Sequence, residues 1–142
     1  MRTLTHDEVR GGTLLPELAI ELTPTVVVST ALATMDFTPV HHDVEGARAQ
    51  GSKDIFLNIL TTMGLVERYV TDWAGPEAII RGINVKLGVP AYAGDRLVFT
   101  GTVLAGEGGG GGADGEFTAE VRGRVSLGDH ASGTVRFSLP AP

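Results

Sequence analysis

One stretch of the sequence decides the fold: IFLNILTTMGLVERYVTDW, at residues 55–73. Apolar side chains cover nearly every face of a helix drawn on this stretch, and charged residues begin only at Glu67. A helix that is apolar nearly all round is a buried helix. Ser52 or Asp54 is suited to cap its start, and Gly75-Pro76 ends it. The stretch therefore predicts a helix in the protein core.

Four segments that follow this helix alternate between apolar and polar residues with a period of two. They span residues 83–89, 96–103, 116–125 and 130–139. Such alternation is typical of strands with one face toward a core. The connections are short and rich in turn residues, which predicts an antiparallel meander. A sheet curled around one buried helix is the hot-dog arrangement, an α+β fold, although the pattern alone also fits other α+β folds.

We expect one domain over residues 1–142, because a chain of 142 residues can bury one sizeable core but not two. Residues 1–14 are expected to be flexible. The glycine-rich region 106–115 is expected to form a hairpin loop between two strands. Local propensity does not decide between helix and strand for residues 25–34, since the valines there favour a strand and the alanines and leucine tolerate a helix.

Composition excludes several classes of function. The chain has no cysteine, which excludes disulfides, thiolate catalysis and cysteine-ligated zinc. Its 11 Lys and Arg residues are scattered and the net charge is −6, whereas a nucleic-acid-binding protein normally carries a basic patch. No apolar run approaches the ~20 residues of a membrane span, and the N-terminus does not resemble a signal peptide. We therefore expect a cytoplasmic protein that binds neither nucleic acid nor membrane.

The residues suited to chemistry are concentrated in DFTPVHHD, at residues 36–43. The proline disfavours a helix, which predicts a loop, and reactive groups are often held on loops over a rigid scaffold. Asp36 and His41, with ordinary pKa values of about 3.9 and 6.5, are suited to proton transfer in both directions. A purely structural hydrogen bond is the main alternative. We expect no metal site, since no further ligands cluster here, and we interpret His6 and His130 as solvent-exposed.

Residues 36–41 have the spacing Asp-x-x-Pro-x-His, which resembles the signature of the MaoC-like hydratase family. The Asp and Ala that continue the family's signature are also present. The sequence PAYAGDRL at residues 90–97 resembles the family's Pro-Val-x-x-Gly-Asp-x-Leu turn. The resemblance extends over about residues 15–139. It implies a hot-dog fold, a short helix over residues 25–34 and the hydration of an enoyl-CoA thioester.

Longer runs are similar to one branch of this family, the small hot-dog subunits of bacterial steroid side-chain enoyl-CoA hydratases. These runs lie at residues 28–34, 41–43, 49–56 and 69–76. The resemblance implies an enzyme of sterol side-chain breakdown. It also implies a partner, a second chain with a MaoC-like hot-dog domain, and an α2β2 heterotetramer. No cofactor is implied, because coenzyme A is part of the substrate.

The resemblance also implies roles for individual residues. Asp36 and His41 are the expected catalytic pair, with the choice of base and acid left open. Backbone N–H groups near Asn58 and Ile59 are the expected donors to the thioester carbonyl. The family pattern has His-Gly at these two positions, and glycine at Met35. The alternatives are a hot-dog acyl-CoA thioesterase and a non-catalytic subunit that only completes a partner's acyl-CoA tunnel.

Overall fold

The computed structural model describes residues 1–105 and 115–142. The expected hairpin loop at 106–115 therefore lies outside the described residues, apart from Gly115. In chain order the elements are β1 (Leu14–Glu21), α1 (Pro24–Ala33), a 3-10 turn (Pro39–His41), α2 (Val44–Ala49), α3 (Ile59–Ala74), β2 (Ile79–Leu87), β3 (Arg96–Val103), β4 (Glu116–Val125) and β5 (Gly128–Ser138). No helix in the described part of the chain is long and apolar enough to cross a membrane.

The described strands form one antiparallel sheet in the order β1-β3-β4-β5-β2. The predicted alternation is confirmed most clearly in β4, where the side chains from Phe117 to Val125 alternate between buried and exposed. The prediction of a simple meander is wrong. β2 pairs with β5 at one edge instead of with its neighbour in sequence, and β1, which the alternation pattern did not reveal, forms the other edge.

Helix α3 packs against one face of this sheet. The Tyr69 ring stacks on Phe99 of β3 with ring centroids 5.6 Å apart, and Trp73 meets Phe137 of β5 edge to face at 5.9 Å. Val70, between them on the helix, is fully buried. Burial of each such side chain contributes about 1.5–3 kcal/mol to stability. The predicted buried helix and the α+β hot-dog fold are confirmed.

The predicted start of this helix is wrong. Residues 55–57 form an extended segment instead, in which the Leu57 amide donates to the Ala91 carbonyl at 3.0 Å and Phe56 bridges to Tyr92. Because these backbone groups are bonded to a neighbouring segment, the helix begins only at Ile59, and its cap is Asn58 rather than Ser52 or Asp54. The predicted end at Gly75 is confirmed.

Helix α1 brings the chain from the sheet edge to the candidate site. The Thr23 hydroxyl caps it by accepting from the Val26 amide at 3.1 Å, and Pro24 occupies the first turn, where a missing N–H is harmless. The helix that the family resemblance implies over residues 25–34 is confirmed, although β-branched valines within it favour strands by propensity.

The N-terminal segment, whose flexibility stays a prediction, contacts the domain at several points. The Leu4 amide donates to the Ala74 carbonyl at 2.8 Å, and the His6 amide donates to the Pro140 carbonyl at 3.0 Å. Val9 is buried in the hydrophobic core. Two or three apolar residues without periodicity give no sequence signal for such docking, yet each one buried against the core offsets part of the ordering entropy.

Candidate active site

The end of helix α1 presents Asp36. Met35 adopts a left-handed backbone conformation, with φ of 60°, and this reverses the chain so that the Asp36 amide donates to the Ala31 carbonyl at 2.9 Å. The Asp36 Oδ1 atom accepts from the Thr38 amide at 3.2 Å. The predicted loop is therefore a tight turn, and it leads into the 3-10 turn that begins at Pro39 and carries His41.

His41 is buried, and both of its ring nitrogens face a partner. The Nδ1 atom lies 2.7 Å from the Phe56 carbonyl oxygen, and the Phe56 ring packs edge to face on the imidazole. A carbonyl only accepts, so Nδ1 carries a proton, and Nε2 has a free lone pair when the ring is neutral. This Nε2 atom lies 3.4 Å from Asp36 Oδ2, longer than the 2.7–2.9 Å or so of a direct charge-assisted hydrogen bond.

Asn58 joins this pair to helix α3. Its Nδ2 atom donates to Asp36 Oδ2 at 3.1 Å and to Thr34 Oγ1 at 2.8 Å. Its Oδ1 atom accepts from the Thr61 amide at 3.2 Å and from the Thr61 hydroxyl. Asn58 is 2% exposed, so these contacts satisfy the amide inside the protein.

Hydrogen bonds favour the ionised form of Asp36. Those from Thr38 are the largest cause, the one from Asn58 follows, and together with the nearby His41 they lower the pKa of Asp36 below its ordinary value. Partial burial opposes this shift without cancelling it. Asp36 is therefore a carboxylate at neutral pH, and whenever the His41 ring is neutral its Nε2 atom is a second proton acceptor that faces Asp36 Oδ2.

The N-terminus of α3 adds hydrogen-bond donors next to the pair. The first amides of a helix have no intrahelical acceptor. Asn58 satisfies the Thr61 amide, and the amides of Ile59 and Leu60 precede it in the same turn. Both of these residues are more than half exposed. Such a turn, with the partial positive charge of the helix dipole, suits an oxygen that gains negative charge.

Exposed apolar side chains, called the apolar rim below, lie close to Asp36 or Asn58 in the chain. Its members are exposed, and they either flank Asp36 in the chain, follow Asn58, or lie at the end of α1: Leu32, Met35, Phe37, Ile59 and Leu60. Single exposed apolar residues are ordinary, but several next to one another mark a surface that binds a ligand or a protein.

The structure separates the remaining candidates from this site. The His42 Nε2 atom bonds the Phe37 carbonyl at 2.9 Å, and Asp43 caps α2 by accepting from the Gly46 amide. Within residues 1–105 and 115–142, no group of three or more His, Asp or Glu side chains is placed to hold a metal ion.

His130 is not solvent-exposed as expected but buried. Its Nδ1 atom lies 2.7 Å from the Val89 carbonyl oxygen, and its Nε2 atom lies 2.8 Å from Thr62 Oγ1. Burial is the main cause that lowers the pKa of His130, so the ring is neutral. Polar side chains of a strand usually face solvent. His130 is buried instead, and the Thr62 hydroxyl on α3 bonds its ring.

Sequence reasoning identified Asp36, His41 and Asn58 but missed the groups that orient them. Thr34 and the Phe56 carbonyl were not singled out, because a backbone carbonyl or a lone threonine has no sequence signature. The contact with Thr38 was detectable, since an Asp two residues before a bonded amide is a common turn motif.

A carboxylate, an imidazole and a helix N-terminus near exposed apolar side chains are suited to acid–base chemistry on a ligand with a polarised carbonyl. Residues 7–124 match the family described as MaoC like domain, which is most of the chain. The chain belongs to this family of MaoC-like hot-dog proteins.

The chain is also similar to individual proteins and solved structures. The chain is 56% identical over 128 residues to the 3-oxo-4,17-pregnadiene-20-carboxyl-CoA hydratase beta subunit of Mycobacterium tuberculosis, covering 90% of this chain and 95% of that protein. It superposes with a TM-score of 0.84 and 56% identity on a chain of the ChsH1-ChsH2 complex from the same organism, covering 91% and 97% of the two chains. An (R)-hydratase from A. caviae involved in PHA biosynthesis shares the fold, with a TM-score of 0.82, 19% identity and coverage of 93% and 98%.

Proposed function

We propose that this chain is the catalytic subunit of a hetero-oligomeric enoyl-CoA hydratase that adds water across the 2,3 double bond of a steroid side-chain thioester. The observation that carries the proposal is the facing pair, Asp36 Oδ2 and His41 Nε2, 3.4 Å apart. A relative 56% identical over most of the chain is named a hydratase of such a thioester, which supports the substrate class.

The pair is suited to hold the attacking water. Nδ1 of His41 donates to the Phe56 carbonyl, so in the neutral ring Nε2 accepts, as does the Asp36 carboxylate. One water donates a hydrogen to each, so its oxygen lone pair is free to attack the β-carbon. The pair takes up one proton from this water and returns one proton to the α-carbon, so the net reaction is the addition of H₂O.

The reaction also requires hydrogen-bond donors to the thioester carbonyl oxygen. Attack at the β-carbon moves negative charge onto the carbonyl oxygen, and the amides of Ile59 and Leu60 are the proposed donors to it. Ile59→Pro tests this, because proline is tolerated at the first helical position and lacks the N–H. Asn58 has φ of −82° and ψ of 162°, which suits a residue before proline. We expect kcat to fall about 10²-fold, with Ile59→Ala as the matched control.

A partner chain is part of the proposal. The relative is named a beta subunit, and the similar solved chain belongs to a two-protein complex, which supports a second MaoC-like chain as the partner. The stoichiometry that we propose is α2β2. In this chain, β2 lies at an edge of the sheet with Ile79 and Leu87 exposed. An open edge strand of this kind invites pairing with another chain. We propose that the partner also covers the apolar rim and so completes the acyl pocket.

The test is hydration of 3-oxo-4,17-pregnadiene-20-carboxyl-CoA by the chain co-purified with its partner, by the chain alone, and by a complex that carries Asp36→Ala. We expect activity to require both chains and to fall at least about 10²-fold in the variant. Asp43→Ala, an exposed carboxylate in the same segment, is the matched control. Full activity of the Asp36→Ala complex would mean that this subunit is not the catalytic one, and release of free thiol without hydration would indicate a thioesterase.

A further inference from the structure

Asn58 does more than cap a helix. A helix cap needs only an oxygen, and Ser, Thr, Asp and Asn all provide one. The Oδ1 atom of Asn58 fills that role toward the Thr61 amide. The other half of the side chain points away from the helix, toward Thr34 and Asp36, and only an amide supplies donors there and an acceptor at the cap.

The hydrogen-bond network fixes which way this amide faces. The Thr34 hydroxyl lies 2.9 Å from the Thr30 carbonyl and 3.0 Å from the Ala31 carbonyl, so its hydrogen is used and its oxygen accepts from Asn58. The Asp36 carboxylate also accepts only. Both partners on this side therefore require the NH₂ group, and the Thr61 amide on the other side requires the oxygen. A flipped amide would lose three of these contacts.

We propose that Asn58 is a positioning residue, which holds the Asp36 carboxylate at a fixed place relative to the first turn of α3. The inference rests on the proposed function, in which Asp36 holds the water and that turn receives the thioester oxygen. The buried Asn58 side chain bonds both to Asp36 and to the Thr61 amide in that turn. Its geometry thus sets the distance between the two halves of the site, and small misplacement of reacting groups lowers rates steeply.

The charges around Asp36 make this role measurable. The titratable side chain that faces the carboxylate is His41, since the neighbouring His42 bonds the Phe37 carbonyl instead. Thr38 and Asn58 supply neutral donors to the two carboxylate oxygens. Replacing the Asn58 donor by an acceptor therefore changes the ionisation of Asp36 directly, whereas loss of a cap alone does not.

Two substitutions separate positioning from capping in the complex with the partner chain. Asn58→Ser keeps a capping oxygen and removes the donor, and we expect kcat to fall by roughly 10²-fold with KM within a few-fold. Asn58→Asp also keeps the cap and adds negative charge favourable to a helix N-terminus. It places a second carboxylate beside Asp36, so we expect an equal or larger loss of kcat and an acidic limb of the pH–rate profile shifted upward by at least about one unit.

Thr61→Val is the matched control, because it removes a hydroxyl from the cap side of the same asparagine and leaves the Asp36 contact in place. We expect its kcat to stay within a few-fold of wild type. Thermal midpoints of all three variants report folding. If the Ser and Asp variants fold and retain kcat within about two-fold with an unshifted pH profile, Asn58 is a cap only and the inference is wrong.

A titration without substrate distinguishes failure of this inference from failure of the proposed function. The side-chain carboxyl of Asp36, labelled with ¹³C in the full chain, is titrated by NMR in wild type, Asn58→Ser and Asn58→Asp. We expect the Asp36 pKa to rise in both variants, and more in Asn58→Asp. An unchanged Asp36 pKa overturns the inference even if the enzyme is a hydratase. A raised pKa supports it even if the complex hydrates no steroid thioester.

Discussion

His41 and His130 are the two buried histidines of the described residues, and each holds its Nδ1 atom 2.7 Å from a backbone carbonyl oxygen. Both rings therefore have the same tautomer when neutral, with a free lone pair on Nε2. They differ in what this nitrogen meets. In His130 it accepts from the Thr62 hydroxyl at 2.8 Å, whereas in His41 it faces the Asp36 carboxylate at 3.4 Å.

On the proposed function, this difference separates a structural histidine, His130, from a reactive one, His41. His130 has a donor for its acceptor, so its hydrogen bonds are complete and a ligand has nothing to add. With a neutral His41 ring, His41 Nε2 and Asp36 Oδ2 are two acceptors that face each other, and a donor such as water can satisfy both. Burial of a histidine is thus no guide to its role, while the partner of Nε2 is.

The largest expected difference between His41 and His130 is in their effect on catalysis. His41→Ala in the complex should lower kcat at least about 10²-fold, because it removes one of the two groups that hold the water. His42→Ala, which alters the exposed neighbour, should have much less effect. Steady-state hydration rates check this, with circular dichroism to show that the fold is kept. Equal losses in the two variants would indicate damage to the loop rather than loss of a reactive group.

His130→Leu should act on stability instead. The change leaves the buried Val89 carbonyl without its donor and removes the nearer acceptor of the Thr62 hydroxyl, at a cost of about 1–3 kcal/mol in the free energy of unfolding. The double variant His130→Leu with Thr62→Val should recover part of this loss, since replacing both partners of a buried hydrogen bond is often nearly neutral. Urea unfolding measures both. If the double variant is less stable than His130→Leu, the hydrogen bond is not the cause.

The neutral state of His130 also predicts how stability varies with pH. Its pKa in the folded protein is lowered by burial, so the unfolded chain binds a proton first, near the ordinary value of about 6.5. The stability that the neutral ring contributes is present above this value and is lost as pH falls below it toward the folded pKa. Urea unfolding of wild type and His130→Leu between pH 5 and 8 tests this, and the two profiles should differ in slope only on the acidic side.

The smallest expected effect concerns the backbone at Asp36 and Thr62, the residues that face His41 and His130. Thr62 lies in a regular helix, whereas Asp36 follows Met35, whose positive φ suits glycine. Met35→Gly should raise the free energy of unfolding by about 0.5–1 kcal/mol, the relief of strain less the extra entropy of glycine in the unfolded chain. Gln50→Gly, at an ordinary φ of −89°, is the control and should be destabilising.

The contrast between His41 and His130 also shows which features can be predicted from the sequence. Asp36 and His41 are five residues apart, and a turn through Pro39 brings them together by local geometry, so their pairing was predictable. The partner of His130 is 68 positions away on α3. The β2–β5 pairing, the cap at Asn58 and the docking of Val9 likewise depend on contacts distant in sequence, which periodicity and propensity do not encode.

The most direct test of the central claim is a double-mutant cycle on Asp36 and His41 in the assembled complex. If the two side chains hold one water together, removing either destroys the same arrangement, and losses of groups that act as a unit are not additive. We predict that Asp36→Ala with His41→Ala lowers kcat no further than the more damaging single change. Losses that multiply, or a double variant that still hydrates the thioester near the wild-type rate, would contradict the account.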